Sequence, residues 1–324
     1  MKVSDLMLDL ATGDSSVHDA FIQEAAGKVA VSNAIFQAAY KISELPVGSA
    51  ETYDFVQEAA EVGLPTDPKK ARGLACASVN QELAAFYDLV VATAKKVKEA
   101  TEKSMKLILA VGKKYNISAG SGDFENSFVK PLCAAIGNDK GKLSFDKKQF
   151  LKGKFSAKIA TNYAKGMCCL LAAYGVNIED SVKNTSSLKS ACGCNQSVTS
   201  LSDVESNLSN GGKLIAFDNI VSQDSHYTDS IKASDVCDLA MGIYDVLNIS
   251  KAVIAAASTS AKKTAKLEID KLCASDAGKD KKISRAAESI NDDIKTWTAN
   301  VTSVTDSIVK GYCDSVSTLT EAMN

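Results

Sequence analysis

Residues 283–308 read ISRAAESINDDIKTWTANVTSVTDSI, and this stretch decides the fold class. Its apolar residues recur at alternating steps of four and three, the spacing of a helix that packs along one seam on a neighbouring helix. No proline follows Pro131, so the helix is free to continue, and Tyr312, Val316 and Leu319 extend it to about residue 322. The predicted packing seam consists of Ile283, Ala287, Ile290, Ile294, Trp297, Val301, Val304 and Ile308.

Two further long helices are predicted by the same periodicity. The Asp-Pro pair at 67–68 supplies an N-cap and a first-turn proline, and apolar residues then recur over about 68–115. A second run covers about 235–274, and the polar segment SDAGKDKK at 275–282 separates it from the helix at about 281–322. Because a short turn makes consecutive helices antiparallel neighbours, we expect an elongated, mainly α bundle whose last two long helices form an antiparallel hairpin.

Changes in composition divide the chain into four regions. An N-terminal region of short helices comes first, then the first long helix with shorter ones, then a region rich in Ser, Asn and Gly, and finally the helical hairpin. These regions are 1–66, 67–178, 179–232 and 233–324. The third region accommodates one short helix that ends at the Gly211-Gly212 pair. The apolar run KLIAFDNIV at 213–221 is short enough to be strand or helix, and periodicity leaves both open.

The composition excludes several classes of protein. The 324 residues include 37 Lys and Arg against 39 Asp and Glu. The net charge of -2 gives no electrostatic reason to expect a nucleic-acid partner, although weak contact through lysine clusters stays open. Acidic residues interrupt the apolar N-terminal run, and no stretch of about 18 residues lacks charge or strong polarity. We therefore expect synthesis in the cytoplasm without a signal peptide, and no membrane-spanning helix.

Few residues suited to catalysis or metal binding are present. His226 lies between Asp224 and Asp229, but residues that are close in sequence do not by themselves form a triad or a metal site. The close pairs Cys168-Cys169 and Cys192–Cys194 lack the two CxxC spacings of a zinc site. We therefore predict no catalytic, cofactor-binding or metal-binding residues and no cofactor. The nine cysteines are expected to be reduced thiols, and those interpreted as small core residues are Cys133, Cys237, Cys273 and Cys313.

Away from its seam, the last helix carries hydroxyl residues where long solvated helices usually carry Glu and Lys. Hydroxyl residues favour the helix less than Ala does, so this helix depends on packing for its stability. Two interpretations stand side by side: the hydroxyl face lies against other subunits, or it is a plain solvated surface. The residues concerned are Thr296, Thr298, Thr302, Ser303, Thr305, Ser307, Ser315, Ser317, Thr318 and Thr320.

Long helices, packed seams and the scarcity of catalytic motifs favour a protein that acts by packing helices. We expect a non-enzymatic structural or assembly protein of a virus or bacteriophage particle, associated with its capsid, neck or interior. Its partners would be copies of itself and other structural proteins of the assembly. An alternative is a pore-forming helical bundle that stores an apolar segment, 166–176 or 252–257, while it is soluble. A second alternative is an enzyme that uses the Asp/His cluster at 224–229.

Overall fold

The computed structural model describes residues 16–44, 57, 60–120, 123–138, 143–144, 150–188, 193–194, 197–216, 227–228, 230–257, 271 and 285–322. These residues are mainly helical, which confirms the all-α prediction. A π-helical turn at Glu125–Val129 leads into the third helix, and a 3-10 turn at Ser186–Leu188 follows the fifth. The α-helices are α1 (Ser16–Glu44), α2 (Pro68–Lys114), α3 (Lys130–Asn138), α4 (Gly153–Ala173), α5 (Glu179–Val182), α6 (Leu201–Ile215), α7 (Ala233–Ala256) and α8 (Arg285–Ala322).

Four two-residue strands pair between distant parts of the chain. Strand β1 (Leu143–Ser144) is antiparallel to β4 (Ser230–Ile231), and β2 (Phe150–Leu151) is antiparallel to β3 (Tyr227–Thr228). The two pairings join the segment before α4 to the segment before α7. They therefore hold the first turns of these two helices near each other.

Helix α2 organises the bundle. It spans 47 residues, and its bounds agree with the predicted 68–115 to within one residue. The Asp67 carboxylate accepts hydrogen bonds from the backbone N–H groups of Lys69 and Lys70 at 3.1 and 2.9 Å, as an N-cap should. After the helix, Asn116 has a φ of 59°, a left-handed conformation that Asn tolerates and that ends a helix.

Five of the helices form a closed ring around the core. Helix α2 packs on α7 and α8, α8 packs on α6, α6 packs on α4, and α4 packs on α7 to complete the ring. Helix α1 lies outside this ring, mainly on α2 and partly along α8. Apolar faces turned toward one another are removed from water, and this burial stabilises the arrangement. Large side chains that are fully buried include Tyr163, Tyr174, Tyr312, Phe128 and Phe150.

The predicted antiparallel hairpin of the last two helices is not confirmed. Helix α7 is described as Ala233–Ala256 instead of about 235–274, and beyond it only Ala257 and Lys271 are described before α8 begins. Both α7 and α8 pack on α2, whereas their other main neighbours differ, α4 for one and α6 for the other. Alternating four–three spacing shows that a helix packs on a neighbour, but it does not say which neighbour.

Helix α6 does not end at the glycine pair where the sequence predicted its end. It starts at a capping box formed by Ser200 and Asp203 and continues through Gly211 and Gly212 to Ile215. A Cβ atom on Gly211 would lie 2.9 Å from the Leu170 side chain of α4. The glycines therefore allow neighbouring helices to approach closely, and they do not act as stops. Of the undecided segment 213–221, residues 213–215 are helical and 217–221 lie outside the described residues.

The prediction that all nine cysteines are reduced is wrong for one pair. Cys133 of α3 and Cys237 of α7 form a disulfide with an S–S distance of 2.17 Å and a Cα–Cα distance of 5.9 Å. The two residues are 104 positions apart, so sequence spacing could not pair them. The bond joins α3 to α7. The other described cysteines lie outside this disulfide, namely Cys76, Cys168, Cys169, Cys194 and Cys313.

Candidate functional site

The predicted packing seam of α8 faces the interior of the chain. Its described members are buried at 1% exposure or less, apart from Trp297, which is half-buried, and Ile283 lies outside the described residues. These side chains face α2 and α6, the main neighbours of α8. The buried members are Ala287, Ile290, Ile294, Val301, Val304 and Ile308. Because the seam is filled by the protein's own helices, it is not a surface for other subunits.

The hydroxyl residues of α8 also turn largely toward the protein itself. Thr305, Ser315, Thr318 and Thr320 are buried, whereas only Thr296 and Ser303 of the ten hydroxyl residues are exposed. Many of the hydroxyl groups donate to the carbonyl four residues earlier, at distances of 2.7 to 3.2 Å. A hydroxyl satisfied within its own helix needs no partner subunit. The hydroxyl groups of α8 are therefore largely satisfied within the protein itself.

Helix α1 has an inner face that fixes it to the ring. Ile22, Val29 and Phe36 are at most 3% exposed and pack against α2. Near the start of α1, Lys96 of α2 forms ion pairs with Asp19 of α1 and with Asp306 of α8, both at 2.6 Å. His18 Nε2 lies 3.0 Å from Glu99 Oε2 of α2. Three helices therefore meet at the start of α1. Helix α1 contributes His18 and Asp19, α2 contributes Lys96 and Glu99, and α8 contributes Asp306.

A buried polar network fixes the second half of α1. The carboxylate of Glu82 in α2 accepts from Asn291 Nδ2 of α8 at 2.6 Å and from Asn33 Nδ2 of α1 at 3.2 Å. Asn291 Oδ1 in turn accepts from Gln37 Nε2 at 2.7 Å. Burial raises the pKa of Glu82 to about 7, against the opposing effect of the two amide donors. Such a network specifies one register of the three helices, because a shifted register would leave buried polar groups unpaired.

The outer face of α1 is apolar and open to solvent. Val17 and Phe21 are each 54% exposed and Val31 is 62% exposed. At about 100° per residue these three positions fall within an arc of about 80° on the helix surface. Glu24 and Lys28 lie between them in the same arc and form an ion pair at 2.6 Å. We call these five residues, Val17, Phe21, Glu24, Lys28 and Val31, the outer stripe of α1.

The outer stripe borders a groove between α1 and α2. The groove has a volume of about 290 Å³, and its walls include Phe21, Glu24 and Lys28 from α1 and Asp88 and Lys95 from α2. Apolar ring surface and charges of both signs are therefore close together. Val62 is the other large hydrophobic residue that is exposed among the described residues. It is 74% exposed and lies in a turn outside α1. The stripe is therefore where exposed apolar side chains are concentrated.

A second polar site lies beside α7. Asp245 is 2% exposed, and its Oδ2 accepts from Ser186 Oγ at 2.5 Å, from the Ser187 N–H at 3.0 Å and from the Ser187 hydroxyl. Its Oδ1 has no hydrogen-bond partner among the residues that the structure describes. Burial raises the pKa of this carboxyl, opposed by the serine donors. Its main effect is structural, because it ties the 3-10 turn to α7.

Two adjoining cavities of about 450 and 260 Å³ meet at Asp245. The carboxylates around them outnumber the cations, since Asp123, Glu125 and Asp238 accompany Asp245 and Lys183 opposes them. The larger cavity also has an aromatic wall, in which Phe124 stacks on Tyr244 with ring centroids 4.4 Å apart. Among the described residues, neither cavity wall contains a His or Cys. Ser186 and Ser187, which line the cavities, donate their hydroxyl groups to Asp245.

Most of the residues that the sequence singled out for chemistry lie outside the part of the chain that the structure describes. His226, Asp224, Asp229 and Cys192 lie outside the described residues. Cys194 is half-buried, and the adjacent Cys168 and Cys169 are buried in α4. Within the described stretches, no group of three or more His, Cys, Asp or Glu residues is placed to hold a metal ion.

Among the described residues, one helix is long and apolar enough to cross a membrane. It is α7, whose 24 residues have a mean hydropathy of 1.4 in their best window, with 56% of that window buried inside the protein. The sequence predicts no membrane-spanning helix, because no stretch of about 18 residues lacks charge or strong polarity. The core helix of a soluble protein satisfies the same criterion, and α7 belongs to the ring around the core.

Comparison of the chain with protein-family models, with curated proteins and with solved structures gives no significant match. The geometry of the chain itself is therefore the basis for a functional proposal.

Proposed function

We propose that this protein is a non-enzymatic structural component of a large assembly, most simply a virus or bacteriophage particle, in which α1 is the contact surface. The observation that supports the proposal is the outer stripe of α1, where Val17, Phe21 and Val31 are all more than half exposed. A monomer that acts alone gains nothing from an apolar row on a rigid, well-anchored helix. Exposed apolar rows of this kind mark surfaces that other proteins cover.

The size of the stripe indicates how such an assembly would hold together. Complete burial of a Val or Phe side chain contributes roughly 1.5–3 kcal/mol, so covering the half-exposed side chains of the stripe contributes roughly 1 kcal/mol each. A single contact of this size is weak. In a particle built from many copies, several weak contacts act at once, and the combined affinity is then much higher than that of one contact.

Sedimentation velocity and mass photometry of the purified full chain test this proposal. We expect reversible self-association that increases with concentration. The double variant Phe21→Ala/Val31→Ala should weaken association at least about ten-fold while the helix content stays the same, because Ala favours the helix. The matched control is Val62→Ala, which removes an exposed apolar side chain outside the outer stripe.

A chain that stays monomeric up to about 100 μM, a concentration that detects contacts weaker than those of most specific complexes, would contradict the proposal. Equal association by the double variant and the wild type would contradict the role of α1. The particle itself is tested by mass spectrometry of purified particles, with the copy number of this chain as the readout.

A second candidate function is membrane activity, and α7 is the observation that favours it. Its length and apolarity match those of a membrane span, and it includes part of the apolar segment 252–257. Release of α7 from the ring would expose that surface to a bilayer. Leakage of dye from anionic and neutral liposomes between pH 4 and 8 tests this candidate, and intact liposomes at every pH would exclude it.

The enzymatic hypothesis rests on His226, which lies outside the described residues. Replacing His226 with Ala tests it, with self-association and thermal stability as readouts beside any hydrolytic activity that the wild type shows. Unchanged behaviour in all of these would remove the support for an enzyme.

A further inference from the structure

We propose that two copies of the protein pair through α1 in an antiparallel, two-fold symmetric arrangement. This inference rests on the proposed function, because it names the partner for the same outer stripe. The partner is a second copy of this chain. The arrangement follows from the order of residues along the stripe, which is apolar, apolar, acidic, basic, apolar.

The stripe is nearly symmetric about Ala26. In an antiparallel pair centred there, Glu24 of each copy lies opposite Lys28 of the other, because 24 and 28 are equally far from 26. Phe21 then lies opposite Val31 for the same reason. One two-fold contact would therefore place two opposite-charge pairs in its centre and apolar pairs on both sides.

A parallel pair of α1 helices is disfavoured by the same charges. Like residues would then face each other, Glu24 against Glu24 and Lys28 against Lys28, and like charges repel across an interface. Glu24 and Lys28 already form an ion pair at 2.6 Å within one helix. In the antiparallel pair, each of these side chains would also contact the oppositely charged side chain of the other copy. The charge order along the stripe therefore selects one of the two orientations.

The small residues beside the stripe permit close contact between two helices. Ala20, Gly27 and Ala34 are exposed and lie on one edge of the stripe, where no long side chain stands in the way. A Cβ atom at Gly27 would meet nothing within 4 Å, so this edge of the helix is open. The 29 residues of α1 extend over roughly 43 Å, which gives room for the whole set of pairs.

Charge exchange tests the orientation. Glu24→Lys places lysine opposite Lys28 in both charge pairs at the centre of an antiparallel contact, and we expect its self-association to weaken at least about five-fold. The double variant Glu24→Lys/Lys28→Glu restores both opposite-charge pairs and should return to within about two-fold of the wild type. Glu61→Lys, on an exposed position away from α1, is the control for the same change in net charge.

Added salt is an independent measurement on the wild-type chain. Opposite-charge pairs are screened by salt, so association of an antiparallel pair should weaken between about 0.05 and 0.5 M NaCl. In a parallel pair, salt would instead relieve repulsion and strengthen association. Association that Phe21→Ala/Val31→Ala weakens, but that Glu24→Lys leaves unchanged, would overturn the antiparallel pairing and leave the proposed function standing. A wild-type chain that stays monomeric would count against the proposed function itself.

Discussion

Asn291 Nδ2 donates a hydrogen bond of 2.6 Å to Glu82 Oε2, and both side chains are sealed from solvent between α2 and α8. A carboxyl group in such a place titrates far from its ordinary range, because removing the charged form from water is costly. Its pKa is raised to about 7, so the group changes its charge near neutral pH. The burial of Glu82 between α2 and α8 therefore makes the stability of the bundle depend on pH.

We expect the free energy of unfolding to fall as the pH rises from about 4.5 through 7. The variant Glu82→Gln should remove most of this dependence. Above its unfolded pKa of about 4.5, Glu82 binds a proton more tightly in the folded state than in the unfolded state. Its contribution is therefore fully present below pH 4.5 and is lost as the pH rises toward and past 7, with a total effect of up to about 3 kcal/mol. Urea unfolding of both proteins between pH 4.5 and 8 measures it.

Glu321→Gln, which neutralises an exposed carboxyl at the end of α8, is the matched control for this measurement. Its stability should follow the wild type at each pH. If Glu82→Gln and the wild type changed in parallel from pH 5 to 8, the titration of Glu82 would not contribute.

Gly212→Ala should destabilise the protein by about 1–3 kcal/mol, because an added Cβ atom would lie 2.0 to 2.4 Å from atoms of the Trp297 ring. The bulky ring would have to move away from α6. Gly73→Ala on α2 is the control, since nothing lies within 4 Å of its added Cβ atom. Gly73→Ala should stabilise the helix by about 0.5–1 kcal/mol. Thermal denaturation and tryptophan fluorescence measure both variants, and changes of the same sign would refute the packing role of Gly212.

Asp245→Ala should release the 3-10 turn from α7. It leaves the Ser186 hydroxyl, the Ser187 hydroxyl and the Ser187 N–H without their common acceptor, and buried donors without partners cost about 1–3 kcal/mol. Hydrogen exchange at Ser187 should accelerate more than exchange in α2. The control is Asp180→Ala, which removes an exposed carboxyl that forms an ion pair with Lys183 at 3.2 Å. It should change neither the stability nor the hydrogen exchange at Ser187. Unchanged exchange in Asp245→Ala would show that the turn is held by other contacts.

Reduction of the Cys133–Cys237 bond should destabilise the folded chain by about 2–4 kcal/mol, because the bond closes a loop of 104 residues in the unfolded state. Thiol titration in denaturant should find two fewer thiols before reduction than after it. The double variant Cys133→Ser/Cys237→Ser should be insensitive to reductant. Equal thiol counts before and after reduction would show that the pair is not bonded in the purified protein.

The sequence predicted α2 and α8 well because their signals are local. Asp67 caps α2, no proline interrupts it, and the four–three spacing of α8 is independent of what it packs on. The choice of neighbours was not accessible, since the same seam fits a hairpin partner or α2 and α6. Gly211 and Gly212 were interpreted as a stop, because a glycine kept for close packing and a glycine kept for a turn look alike in one sequence.

The candidate site was missed although its signal was present. Steps of four along the sequence join Val17 and Phe21 to Ala25 and Val29, a pattern that predicts one common face. Four residues turn the helix by about 400°, so each step drifts by about 40°, and three such steps carry the row around a third of the helix. Val17 and Phe21 therefore point outward while Val29 points to the core. Val31, which lies on the same side as Val17, was the residue that could have revealed a second apolar face.

The anchoring of α1 has a consequence for the order in which the protein matures. Gln37 finds its partner Asn291 254 positions later in the chain, and the Lys96 contact with Asp306 spans 210 positions. Contacts between such distant residues form late, after the intervening chain has folded. A growing chain on the ribosome therefore lacks Asn291 and Asp306, which complete the contacts that anchor α1, until α8 has emerged. In the proposed α1 pairing, unfinished chains would therefore be kept from joining one another, and only finished chains would present α1 in its anchored position.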